Sequence, residues 1–148
     1  MTTNSRIFSK WASKPGRWFS VAAIIALLWN IGGAMQFINS LSPPEAGGMM
    51  TPEQLQVITS LPTWVTLVFG IGVVTSLLGS VLLYLRHRHA IPTLVASLLA
   101  FLLLTLAYII YGIFEAIGKQ QVIVMATVDV IAFVLVLLSR MIPSAKKA

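Results

Sequence analysis

The sequence predicts an all-α integral membrane protein, a four-transmembrane-helix bundle with a short periplasmic helix in its first outer loop. Two observations carry that reading. Four long stretches almost free of charge run at about 18–38, 64–85, 91–113 and 122–138. Each reaches or approaches the roughly 20 residues an α-helix needs to cross a hydrocarbon core of about 30 Å. The charges between them are also sorted by sign. If the stretches are threaded as four spans, nine of the ten basic residues fall on one side: Arg6, Lys10, Lys14 and Arg17, then Arg86 and Arg88, then Arg140, Lys146 and Lys147. Only Lys119 lies opposite. Positive charge in short loops marks the cytoplasmic face, so both termini are expected in the cytoplasm of a bacterial inner membrane. The 39–61 loop and the 114–121 turn are then expected outside. The net charge of +6 is a topology signal and gives no support to nucleic-acid binding, which wants its charge on one soluble face.

The spans use more than half of the 148 residues, so residues 1–148 read as a single membrane domain with the lipid bilayer as its surroundings. A basic segment, 1–17, precedes the first span. In it Arg6, Lys10 and Lys14 repeat at i, i+4, i+8, while Ile7, Phe8 and Trp11 share another stripe. A short helix on the anionic inner leaflet fits this pattern, and so does a basic tail that only sets orientation. The first span is longer than a secretory h-region of 7 to 15 residues and is read as retained.

In the first outer loop Pro43-Pro44 and Gly47-Gly48 break the chain, and Thr51-Pro52-Glu53-Gln54 then supplies an N-cap, a proline at N1 and a glutamine at N3. That combination is a capping box and predicts a helix from Thr51 to about Ser60, with Leu55 and Ile58 turned toward the membrane or the bundle mouth. It would serve either as a lid or as a cap over helix ends. Pro62 opens the second span, in which Gly72, Ser76 and Ser80 stand at i, i+4, i+8 with Gly79 on the neighbouring stripe. Small residues so placed let another helix backbone approach closely. Gly32-Gly33 in the first span is assigned the same part.

Asp129 lies seven residues into the fourth span, about 10 Å below its outer boundary at 1.5 Å per residue. A charged residue there costs roughly 2.5 to 3.5 kcal/mol at insertion, while the twelve Val, Ile, Leu and Phe residues of the same span return about 5 kcal/mol. The helix still inserts, but Asp129 must face protein. Asn30, Tyr108 and Tyr111 are expected at similar depth. With Glu115, spaced i, i+3, i+7 from Tyr108 and Tyr111, they make a candidate polar binding cluster in the outer half of the bundle. Two roles stay open for it. In one, Asp129 is a protonatable group reached from outside; in the other, it is interhelical glue bonded to Asn30 or a tyrosine, with Glu115 paired to Lys119.

No catalytic constellation, metal-ligand cluster or cofactor motif is found. The absence of cysteine removes thiol chemistry and thiolate metal sites. His87 and His89 alternate with Arg86 and Arg88 in a tight loop that lacks further donors, and no span carries a histidine for haem.

Trp29-Asn30 with Gly33, Gln54, Pro62-Thr63-Trp64, Gly79 with Leu82-Leu83 and Leu85-Arg86, then Ala90 and Ser97-Leu98 are similar to the small four-helix bacterial membrane proteins loosely termed sugar transporters. The resemblance runs from about Trp29 to Ser139 and is weakest in the fourth span. It implies the four-helix fold, carries over no mechanism beyond the transporter label, and brings no catalytic residue and no support for Asp129. The expected function is therefore a small-solute carrier acting as a homo-oligomer, since four helices without an inverted repeat need a pathway between subunits. The alternative is an accessory subunit or assembly factor of a larger membrane complex. A lipid-binding scaffold of the membrane-enzyme kind is the third reading, and it lacks the charged catalytic group such an enzyme would want.

Overall fold

The computed structural model describes residues 16–41 and 51–142. The basic segment before Gly16, the Pro43-Pro44 and Gly47-Gly48 breaks and the tail with Lys146 and Lys147 lie outside the described residues. Among the described residues six helices follow one another: α1 (Arg17–Leu41), α2 (Pro52–Thr59), α3 (Thr63–Tyr84), α4 (Ala90–Ile110), α5 (Ile113–Ile117) and α6 (Lys119–Ser139). The four long ones, α1, α3, α4 and α6, are each long and apolar enough to cross a membrane. They form the expected all-α membrane bundle.

The surface is what a lipid solvent selects. Ile25, Leu67, Leu99, Ile110, Ile123 and Val130 are 61% to 67% exposed, a waste of apolar area in water and the natural state in hydrocarbon. The interior is small instead. Ala23, Ala26, Ala90, Ala107, Ser76, Ser80, Ser97 and Ser139 are all buried, so packing rests on close backbone approach. Aromatic residues mark both ends: Trp64 beside Tyr111 at the end that carries α2, and Trp18 with Tyr84 at the opposite end. Trp64 and Tyr84 are separated by about 30 Å of helix at 1.5 Å per residue, the thickness of a bilayer core.

α3 is the central packing element and uses two faces. Toward α4, a Cβ added at Gly79 would lie 2.6 Å from Leu94 Cδ2, and one at Gly72 would lie 2.9 Å from the Phe101 ring. Ser97 of α4 donates to the Gly72 carbonyl at 3.2 Å. Toward α1, Phe37 seats on Gly70, and Ser76 and Ser80 meet Asn30. The pair Gly32-Gly33 does not share this role. A Cβ at either would meet nothing within 4 Å, because α1 turns that stripe away from α3.

The four long helices pack in chain order, α1 on α3, α3 on α4 and α4 on α6, while α1 and α6 form no extended interface with each other. The bundle is an open arc. Its end opposite α2 is closed by one buried cluster that includes Phe19, Ala23, Leu94, Leu135 and Ile142.

The connections follow from their residues. α2 begins at the Thr51 cap, whose hydroxyl accepts from the Gln54 backbone while the Gln54 side chain accepts from Thr51 N–H. Its half-buried side, Leu55 and Ile58 included, faces α5, to which Gln54 Nε2 donates at Ala116 O. The α3–α4 loop ends α3 in a paired-bond C-terminal cap. His87 N–H reaches Leu82 O, Arg86 N–H reaches Leu83 O, and Arg86 takes the left-handed conformation at φ 55° that usually selects glycine. The Arg86 guanidinium lies 5.3 Å from the centre of the Phe19 ring, a cation–π contact tying this loop to α1.

The third span is shorter than the apolar run suggested. It stops at Ile110 because Gly112 turns left-handed at φ 67°, and a second break at Gly118, φ 99°, isolates α5 from α6.

Candidate functional site

Between α1 and α6, floored by α3 and α4, lies a cavity of about 350 Å³. It exists because the arc does not close, and it occupies the half of the bundle nearer α2. α1 lines it with one stripe, Trp29, Gly32, Gly33 and Gln36, which stand at i, i+3, i+4 and i+7. The glycines supply its width. α6 lines it with a second stripe from Gln121 through Met125 and Val128 to Leu135, and Val73, Leu104 and Tyr108 complete the wall. Below it the Phe19 cluster closes the bundle.

The structure divides the five residues of the expected polar cluster. Asn30 and Tyr108 line the cavity. Asn30, 7% exposed, is also held in a clasp. Its Nδ2 donates to Ser80 Oγ at 2.6 Å, and its Oδ1 accepts from Ser76 Oγ at 2.6 Å. Ser80 Oγ in turn donates to Ser76 O at 2.9 Å, so the network joins α1 to α3 in the middle of the bundle. Tyr108 stands edge-on to Phe114 at 5.9 Å, linking the cavity wall to α5.

Asp129 is elsewhere. Its Oδ2 accepts from Thr105 Oγ1 at 2.8 Å across the α4–α6 seam, and its buried Oδ1 has no hydrogen-bond partner. The expected bond to Asn30 or a tyrosine is therefore replaced by one to Thr105, because rotation of α6 turns Asp129 toward α4. Nor do Tyr108, Tyr111 and Glu115 share a helical face. α4 ends before Tyr111, which caps it and lies 6.2 Å from Trp64, while Glu115 is exposed on α5. Gly118 likewise removes the i, i+4 helical relation between Glu115 and Lys119.

Of the packing residues, Gly72 and Gly79 meet α4, and Ser76 and Ser80 meet α1. Sequence reasoning missed Gln36 and Gln121 as cavity residues. The signal was present in α1, since Gly32, Gly33 and Gln36 form with Trp29 a stripe that no other described helix packs against.

Asp129→Asn is expected to melt within about 0.5 kcal/mol of the native protein, because the amide oxygen still accepts from Thr105. Asp129→Leu removes the unpaired oxygen and should melt no lower. Because Asp129 does not line the cavity, ligand binding there should survive both changes. Thermal melting alongside a binding assay checks this, and loss of binding in a folded Asp129→Asn protein would show that the carboxylate acts chemically.

No protein-family model matches the chain, and no curated protein or solved structure matches it significantly.

Proposed function

We propose that the protein is a membrane-embedded binding protein whose ligand occupies the α1–α6 cavity. The carrying observation is the cavity itself: about 350 Å³, within the 300–1,000 Å³ range of small-molecule sites, walled mainly by apolar side chains with a few convergent polar groups. The charge pattern supports an inner-membrane orientation with both termini cytoplasmic and α2 periplasmic. A periplasmic reporter fused after Lys147 should be inactive, and an active one would reverse the assignment.

Solute carriage by a homo-oligomer is the second reading, in keeping with the sugar-transporter resemblance. It is favoured by closure of the cavity at the Phe19 cluster, as in one end state of an alternating site. An accessory role in a larger complex requires only the apolar outer faces.

The test is ligand-induced stabilisation. A molecule bound at one hundred times its Kd raises stability by about 2.7 kcal/mol. Neutral sugars and membrane amphiphiles are screened by thermal melting against the native protein and Gly33→Leu. A Leu side chain at Gly33 enters open space, so the variant should fold and its cavity should be filled. Stabilisation seen only in the native protein supports the reading; equal stabilisation of both contradicts it.

A further inference from the structure

The cavity selects a chemical class. No charged residue among those described lines it, and its polar side chains that are not bonded to one another lie at one end: Gln36, Tyr108 and Gln121 lie toward α2, whereas Asn30 and Ser76, bonded together, lie deeper with Val73, Leu104 and Leu135. A buried unpaired charge among neutral walls is costly, so the occupant carries none. A cavity of about 350 Å³ has room for a head and part of one chain. The way in is sideways. α1 and α6 share no extended interface, and the edge of the slot is apolar: Leu28 on α1 is 63% exposed and Ile131, which lines the slot from α6, is partly exposed.

We infer that the α1–α6 cavity is a lateral site for an uncharged single-chain amphiphile of the monoacylglycerol or fatty-alcohol class. The chain enters from the bilayer between α1 and α6 and lies among the apolar walls. The hydroxyl or ester head sits toward α2, where the amides of Gln36 and Gln121 and the Tyr108 hydroxyl provide donors and acceptors. The Asn30 clasp forms the inner polar limit. Its carbonyl oxygen and one amide proton are already engaged by Ser76 and Ser80, so it shapes the site more than it solvates the head. This inference rests on the proposal that the cavity binds a ligand at all.

Trp29 lines the cavity and reports on it directly. In full-length protein carrying Trp11→Phe, Trp18→Phe and Trp64→Phe, Trp29 is the one remaining tryptophan. The protein is placed in phosphatidylcholine bilayers and titrated with a brominated monoacylglycerol. Quenching should saturate at low mole fraction, reverse on adding the unbrominated compound, and lose its saturable part in the Gly33→Leu background. A brominated fatty acid, compared at an alkaline pH where it is ionised in the bilayer, should bind at least about tenfold more weakly. Quenching that rises only in proportion to bromine content, equal for brominated phosphatidylcholine and unchanged by Gly33→Leu, would overturn the site. Equal affinity for the ionised fatty acid would overturn the uncharged head. A shift from dimer to monomer in Gly33→Leu with only proportional quenching would show that a second copy covers the groove. If saturable quenching fails while a water-soluble sugar still gives Gly33-dependent stabilisation, the amphiphile assignment alone is lost; if both fail, the binding reading falls with it.

Discussion

Gly79→Leu should prevent the α3–α4 seam from forming, and Gly79→Ala should lower the melting point measurably in detergent. Even the alanine methyl would stand 2.6 Å and 2.7 Å from Leu94 Cδ2 and Cγ, and 3.4 Å from the Leu94 backbone nitrogen. Leu94 is 1% exposed and packs in the buried cluster with Phe19, Leu83 and Leu135. The helices resist sliding apart because Ser97 is bonded to Gly72 O and the Phe101 ring rests on Gly72 two turns further along each helix. Overpacking costs about 1 to 3 kcal/mol, and the better helix propensity of alanine returns about 1 kcal/mol. A net loss of up to about 2 kcal/mol is therefore expected for alanine, and more for leucine. Shortening the neighbour should relieve it, so Gly79→Ala with Leu94→Ala should lose less stability than the two single losses added together. Gly33→Ala is the control, since its methyl meets nothing within 4 Å and should cost nothing.

Asn30→Leu is the second large effect. It removes two interhelical hydrogen bonds, each 2.6 Å long, at a point where α1 is held to α3. Such bonds in membrane bundles average about 0.6 and reach about 1.7 kcal/mol each, so a loss of about 1 to 3 kcal/mol is expected. The two serines do not suffer equally. Ser80 keeps the Ser76 carbonyl as its acceptor, while Ser76 loses the Asn30 oxygen. Removing that stranded hydroxyl should recover part of the loss, so Asn30→Leu with Ser76→Ala should melt above Asn30→Leu alone. Equal melting of the two would mean that the clasp carries little of the α1–α3 interface.

The long helices and their order were legible because hydropathy and charge act along the chain, where sequence records them directly. The capping box at Thr51 was legible for the same reason, since all its partners lie within four residues. Glycines that face neighbours were half legible. Gly72 and Gly79 behave as small residues at spacing should, but Gly32 and Gly33 have the same chemistry and face open space. Which face of a helix meets another depends on rotation about its axis, and an apolar span offers little pattern to fix that rotation. The polar cluster shows the consequence. Depth alone grouped Asn30, Tyr108 and Asp129, whereas rotation sends Asn30 to α3 and Asp129 to Thr105 on α4. The end of α4 was hidden differently, because the apolar run continues through Ile113 and only the left-handed turn at Gly112 interrupts the helix. The cavity was the least legible feature, since it arises from an interface that α1 and α6 do not make.

The central claim is that this opening is a ligand site. Native mass spectrometry of the protein extracted from its membrane in mild detergent tests it most directly, with the native chain and Gly33→Leu measured side by side. The account predicts a bound small molecule of defined mass on the native chain and its loss from a folded Gly33→Leu protein. The same adduct on both proteins at equal occupancy would contradict it.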